Sequence, residues 1–398
     1  MDLTLIVVLV IALALFFDFT NGFHDTANAM ATPIATGAMK PRFAVGLAAC
    51  LNLVGAFLST EVAKTISGGI IREGDGGVLI TPELIFAGLI GAVVWNMFTW
   101  LLGLPSSSSH ALFGGLIGAA VVGAGSFDPI DFGVVLSKVI IPALAAPLTA
   151  GIVAYVATKL AYAITRRYDG RPDGRDGFRY AQIFSSSLVA LAHGTNDAQK
   201  TMGVITLTLI AVGFQSPDSD PEWWVILACA IAIALGTYMG GWRIIKTLGT
   251  GLTDVKPAQG FSAETSTAAT ILASSHLGFA LSTTQVASGS VIGSGLGRRG
   301  SKVRWGTAGR IGLGWLMTLP AAAIVGGLAA FIAEIGVAGI LIDAAIGAVV
   351  IVFIFWRSRK NEVSHHNVTS EVAASGRAVK IKRNPKPKRP ESKRKVTQ

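Results

Sequence analysis

The amino-acid sequence predicts an all-α polytopic membrane protein made of two inverted-topology repeats, each with a broken helix and a helical hairpin. Three observations carry this expectation. Only 14% of the 398 residues are charged and 51% are hydrophobic, whereas a soluble domain carries about 25% charged residues. Apolar runs near the roughly 20 residues that cross a bilayer as a helix follow one another from Met1 to Trp356, with short polar breaks between them. The order of events in the first half returns in the second, with the loop charges reversed in sense.

The first apolar stretch, Leu3 to Phe17, has Asp2 in place of a basic flank and no small-residue cleavage site. It reads as a membrane segment rather than a signal peptide. Basic breaks fall at Lys40–Arg42, Arg166–Arg179, Arg243–Lys256 and Arg298–Arg304, and acidic ones at Arg72–Glu83, Asp128–Asp131, Asp218–Glu222 and around Glu334. Because Lys and Arg collect in short cytoplasmic loops, the basic breaks are placed inside and the acidic ones outside. Starting outside, segment 3–37 goes in, 43–66 goes out, and 84–125 leaves from and returns to the outside. Segment 133–163 comes in, 181–213 goes out, 223–241 comes in, and 264–296 leaves from and returns to the inside. Segments 305–333 and 337–356 complete the path.

This gives a first inverted repeat over 1–163, a cytoplasmic Arg-rich loop over 164–180 and a second repeat over 181–336. A final membrane helix spans 337–356, and a tail spans 357–398. The tail holds 13 Lys and Arg against 3 Asp and Glu, which accounts for the whole net charge of +10. Interleaved with prolines, it is too poor in apolar residues to fold and is expected to be disordered, cytoplasmic and drawn to anionic lipid. Cys50 and Cys229 lie in apolar runs and are expected to be small core residues.

Two segments are long enough for two helices yet return to the side they left. Each is interrupted by a polar run without charge, Leu104-Pro105-Ser106-Ser107-Ser108-Ser109-His110 in one and Leu281-Ser282-Thr283-Thr284-Gln285 in the other. The lack of charge favours hairpin tips at membrane depth over loops in water. The repeat is visible in single residues. Gly22, His24, Asp25 and Met30 align with Gly194, Asn196, Asp197 and Met202, and Ser108, Ser109, Gly114 and Gly118 align with Thr283, Thr284, Gly289 and Gly293. Paired interrupted segments in inverted repeats point to a transporter's midplane site.

Asn21, His24, Asp25 and Asn28 stand at positions i, i+3, i+4 and i+7, one face of a helix; His193, Asn196, Asp197 and Lys200 repeat that spacing. A carboxylate at the bilayer centre costs about 2.5–3.5 kcal/mol on an insertion scale, so two such stripes imply a function. Helix breaks at Gly22 and Gly194 would add free carbonyls, and the oxygens together suit a small hard cation; the same carboxylates could instead carry protons. Helices starting at Ser109 and Thr284 would aim free N–H groups and positive dipole ends at an oxyanion. A Ser109-His110 nucleophile is disfavoured, since adjacent helical residues do not face each other. No enzyme and no catalytic residue are expected. Divalent metal-ion transport and a passive channel remain as alternatives.

Asn21-Gly22-Phe23-His24-Asp25-Thr26-Ala27-Asn28-Ala29, His193-Gly194-Thr195-Asn196-Asp197, Pro105-Ser106-Ser107-Ser108-Ser109-His110 and Leu281-Ser282-Thr283-Thr284 together resemble the PiT family of inorganic phosphate transporters, in particular the bacterial low-affinity type. The resemblance covers residues 1–356. It implies import of inorganic phosphate across the plasma membrane by symport with H+ or Na+, through an elevator-like or rocking movement. It places Ser107, Ser108, Ser109, Ser282, Thr283 and Thr284 around phosphate, with Asn28 and Lys200 completing that set. Asp25, Asp197, Asn196, His24, Asn21 and His193 form the cation-coupling set, with no structural metal and no cofactor beyond the coupling ion. The family's Asn-Asp pair reads His24-Asp25 in the first half, and Lys200 stands where Asn28 stands. Titratable groups thus replace neutral ligands, which favours the proton over sodium and leaves room for a neutral metal–phosphate complex as cargo. Sulfate or another oxyanion stays open as the alternative substrate. The expected partners are phosphate, the coupling ion, membrane lipid and a second copy in a homodimer, with no nucleic acid.

Overall fold

In the computed structural model, residues 3–67, 77–168, 176–217, 219–361, 363–370 and 372 are described, and they are helical throughout apart from connections. The first half contains α1 (Leu3–Thr36), α2 (Pro41–Gly55), α3 (Glu61–Ser67), α4 (Pro82–Leu102) and α5 (Ser108–Ala124). After these come a short α6 (Phe132–Val134), a π-helical stretch (Val135–Ile140) and α7 (Ile141–Tyr168). The second half contains α8 (Asp176–Ala211), α9 (Trp223–Met239), α10 (Trp242–Thr250), α11 (Pro257–His276), α12 (Thr283–Gly297), α13 (Trp305–Ala333) and α14 (Val337–Ser358). Five helices among the described residues are long and apolar enough to cross a membrane, and α9 with α10, bent by 69°, makes a sixth.

The outer surface is apolar, and the interior combines a hydrophobic core with buried polar stripes, a distribution a lipid solvent permits. Along α7 the outward row Leu144, Leu148, Ile152, Val156 and Leu160 is exposed at every fourth position, while the polar stripes of α1 and α8 are buried.

Those two helices form the centre. Helix α1 packs on α9 and α8 packs on α2, each contact closed by a pair of glycines. A Cβ at Gly22 would collide with the Ile233 carbonyl and one at Gly236 with that of Phe19; Gly194 and Gly55 stand in the same relation to Asn52 and Leu191. Small residues let helix backbones approach closely in membranes. This corrects the expected helix breaks at Gly22 and Gly194. Both helices run straight through, because glycine there serves close packing and the backbone hydrogen bonds stay intact.

The interruptions lie elsewhere. The expected 43–66 span is α2, a break over 56–60, and α3. The expected 223–241 span ends at Gly240, whose φ of 75° leaves the helical region, and the chain turns into α10. That helix fills part of the stretch expected as a basic loop. Helix α11 starts at Pro257 rather than 264.

Both hairpins are present, and their tips are built alike. Helix α4 ends at Gly103 (φ 65°) and α11 is followed by Gly278 (φ 71°). Leu104 N–H donates to Thr99 O and Phe279 N–H to Ser274 O, both at 2.9 Å. This is the glycine-terminated helix end in which a left-handed residue lets the chain reverse over the last turn. The next helices start at Ser108 and Thr283, one residue before the expected positions, with Ser107 and Ser282 as N-caps accepting from His110 N and Gln285 N. Both entering helices start on a proline, Pro82 and Pro257, where a missing N–H costs nothing.

Each hairpin packs against a long helix of the other half's numbering: α5 on α13, and α12 on α7. Gly114 and Gly118 of α5 lie against the Leu319 and Ala323 carbonyls, and Gly289 and Gly293 of α12 against those of Pro147 and Gly151.

The tail expectation is corrected over its first part. Thr250 Oγ1 donates to Val372 O at 2.7 Å, and Val368 and Val372 are buried in a cluster with Ile244, Ile245 and Leu248 of α10. Two valines on one helical face supply the apolar area that the basic remainder lacks. Residues 169–175 of the Arg-rich loop and the distal basic run after 372 lie outside the described residues. Cys229 is buried as expected, whereas Cys50 is exposed on the outer face of α2.

Candidate functional site

The site forms where the middles of α1 and α8 cross the N-terminus of α12. All the predicted site residues are buried, with Asp25 1% and Asp197 0% exposed. The two carboxylates meet at one hydroxyl: Thr283 Oγ1 is 3.3 Å from Asp25 Oδ2 and 3.2 Å from Asp197 Oδ2. Thr284 Oγ1 donates to Asp25 Oδ1 at 3.0 Å. Asn28 Nδ2 donates to both threonine oxygens, at 3.2 and 3.0 Å.

Asp197 is the more heavily partnered carboxylate. Lys200 Nζ lies 2.7 Å from its Oδ1, Asn196 Nδ2 donates to the same oxygen at 2.9 Å, and Asn21 Nδ2 donates to Oδ2 at 3.2 Å. His193 Nε2 is 3.2 Å from Asp197 Oδ2 and 3.9 Å from Asp25 Oδ2. The imidazole therefore stands between the two acids, steadied by Asn52 Oδ1 3.2 Å from its Nδ1.

On the other side of Asp25, His24 Nδ1 lies 2.7 Å from Asp25 Oδ1. With that nitrogen donating, Nε2 is the acceptor, and Ser106 Oγ and Thr99 Oγ1 are each 3.3 Å from it. Asp25 thus senses both hairpins, the first through His24 and Ser106, the second through Thr283 and Thr284. The tips also meet each other, since Ser109 Oγ donates to Leu281 O at 3.2 Å and Asn196 Nδ2 donates to the same carbonyl at 2.9 Å.

Of the sequence-predicted residues, Asn21, His24, Asp25, Asn28, Ser109, His193, Asn196, Asp197, Lys200, Thr283 and Thr284 are joined in one network, while Ser107, Ser108 and Ser282 are buried at the tips. Ser107 and Ser282 spend an acceptor lone pair on capping their own helices, which leaves each hydroxyl hydrogen free to donate. The first N–H groups of α5 and α12 have no intrahelical partner and add donors beside the hydroxyls. Asp25, His193 and Asp197 each offer one ligand atom, all within 4.8 Å of one another, a spacing that accommodates a cation.

Sequence reasoning passed over several polar residues. Thr99 and Ser106 orient His24, and Asn52, held by donation from its Nδ2 to Thr237 Oγ1 at 2.6 Å, orients His193. Glu264 of α11 is buried and accepts from Ser185 Oγ at 2.6 Å, from Gln182 Nε2 at 3.1 Å and from Thr32 Oγ1. Asn52 and Glu264 stand alone as amide and acid in runs of apolar and small residues, which is the signal that marked them.

The sequence pattern of the Phosphate transporter family matches residues 21–326, the span that holds every residue of this cluster. A protein of Mycobacterium leprae named "Probable low-affinity inorganic phosphate transporter" is 57% identical over 91% of this chain and 87% of its own length. A Rhizobium meliloti protein of the same name is 44% identical over 84% of this chain and 99% of its own. Among solved structures, "The sodium-dependent phosphate transporter" superposes with a TM-score of 0.72 at 23% identity, covering 83% of this chain and all of that one, a likeness of fold.

Proposed function

From the premise that this chain belongs to the phosphate transporter family, we propose that it is a secondary transporter importing inorganic phosphate by symport with protons. The observation that carries this reading is the pair of acids, one from each half, converging on Thr283 at a helix N-terminus. An anion entering there finds hydroxyl and N–H donors but also two carboxylates, offset by the single ammonium of Lys200. Burying a further negative charge in low dielectric costs several kcal/mol unless a counter-charge enters with it. Phosphate occupancy and cation occupancy are therefore linked, and that linkage is symport.

Protons are favoured over sodium because three nitrogen groups, His24, His193 and Lys200, stand against the acids among the Thr and Asn side chains, whereas a hard cation is held by oxygens. The Asp25–His193–Asp197 trio supports a second cargo, a neutral complex of a divalent metal ion with phosphate. The corresponding caps, prolines and glycine contacts of the two halves support an inverted repeat moving between two access states around a fixed site, and the placement of the basic breaks supports an N-terminus outside.

Radiolabelled phosphate uptake into proteoliposomes under an imposed pH gradient tests the proposal. Uptake should follow the proton gradient, persist when choline replaces sodium, and resist excess sulfate. Asp25→Asn and Asp197→Asn should each abolish it while the protein remains in the membrane. Wild-type rates in both variants would remove the carboxylates from the mechanism.

A further inference from the structure

Three acids outside this cluster are buried among the described residues, Asp18, Glu264 and Asp343, and of these Asp18 is the one with both oxygens unsatisfied. Asp18 lies on α1, seven residues before Asp25 and so two turns nearer the helix N-terminus, and it is 0% exposed. Both its oxygens lack a hydrogen-bond partner. A buried ionised carboxylate without donors is among the costliest groups a membrane interior can hold. A tie between helices does not account for it, because one facing hydroxyl is too few donors for two buried carboxylate oxygens.

Its surroundings share the same deficit. The charged and titratable groups facing it are Asp197 and Lys200 of α8 and the Cys229 thiol of α9. The Thr201 hydroxyl of α8 faces it closely enough to favour a charge there, yet completes no hydrogen bond of normal geometry. Asn21, three residues along the same face of α1, donates from Nδ2 to Asp197 Oδ2 and leaves its Oδ1 without a donor. The orphaned atoms are therefore three acceptors, the two Asp18 oxygens and Asn21 Oδ1, with the single hydroxyl donor of Thr201. Such a set lacks one hydrogen.

We propose that Asp18 is a second proton-binding site, an outer acceptor in series with the Asp25–Asp197 pair. The carboxylate takes one proton and becomes a neutral acid. Its O–H then serves Asn21 Oδ1, while Thr201 Oγ–H serves the remaining carboxyl oxygen. Asn21 joins this site to the inner one, because the same side chain donates to Asp197. The proton on Asp18 removes a negative charge that faces Asp197, which lowers the cost of admitting phosphate beside it. This rests on the proton-symport reading above and adds to it one proton at a named atom.

The test is the pH dependence of phosphate binding to the purified full-length protein, read by isothermal titration. Affinity linked to uptake of one proton changes by about tenfold per pH unit, and each further linked proton adds the same again. The expected result is that Asp18→Asn lowers the slope by one proton, that Asp18→Glu restores it, and that Thr201→Val shifts the midpoint without changing the limiting slope. In proteoliposomes, Asp18→Asn should also lower uptake driven by a pH gradient by ~tenfold. An Asp18→Asn protein with the wild-type slope and wild-type gradient response overturns the assignment. If Asp18→Asn cannot be purified folded, an unmoved midpoint in Thr201→Val does the same. A wild type driven by sodium alone overturns the symport reading itself and is seen before any variant is made.

Discussion

Asp197 and Lys200 are both fully buried and 2.7 Å apart, so each is tolerable only in the presence of the other. Removing one partner of a buried pair costs about 3–5 kcal/mol, whereas replacing both is often neutral. Lys200→Met should lower the melting temperature in detergent sharply, and the Asp197→Asn/Lys200→Met double variant should recover most of the loss while remaining inactive. A different outcome is expected at His24, whose work is to connect Asp25 to Ser106. A hydrogen bond to a charged group contributes about 1.5–3 kcal/mol, so His24→Ala should slow phosphate uptake by roughly ten- to a hundredfold with little change in melting. Equal melting losses in both single variants would argue that His24 is structural. At this scale the sequence was informative where polar residues recur at helical spacing. Asp25, Asn28, Asp197 and Lys200 were found that way. It was silent on Thr99 and Thr237, because a single Thr in an apolar run looks the same whether it orients a histidine or bonds a carbonyl of its own helix.

Among elements, the two hairpins were legible from uncharged polar interruptions, and their helix starts were placed within one residue. Helix continuity through Gly22 and Gly194 was not. A glycine in a membrane helix reads equally as a break or as a contact, and only the neighbour decides; here the neighbours are the backbones of α9 and α2. The same argument applies to the hairpin helices. Gly118→Ala and Gly293→Ala push a methyl group into the Ala323 and Gly151 carbonyls, and overpacking of this kind costs about 1–3 kcal/mol. Both should lower melting temperature and uptake together. Gly306→Ala and Gly312→Ala on α13, with open space around the added carbon, should leave both unchanged.

For the molecule as a whole, the charged breaks at 128–131 and 298–304 fall between helices and that at 40–42 opens α2, whereas that at 243–256 is largely the helix α10. Charge said nothing of what happens to a basic tail once two valines find a groove. Val368 and Val372 bury fully against α10, and burying a valine contributes about 1.5 kcal/mol or more. A chain ending at residue 362 should therefore melt below the full-length protein, while one ending at 372 should match it. Identical melting of both truncations would show that the docked segment adds no stability.

The exchange of hairpin partners between halves also bears on biogenesis. Helix α5 leaves the ribosome long before α13, the helix whose carbonyls its glycines are shaped to meet. At 5–20 residues per second, the interval between Ala124 and Trp305 is roughly 10–40 s. For that time a glycine-lined surface and a serine-rich tip sit in the bilayer without their mate. The α5–α13 contact therefore closes only after most of the second half has been made.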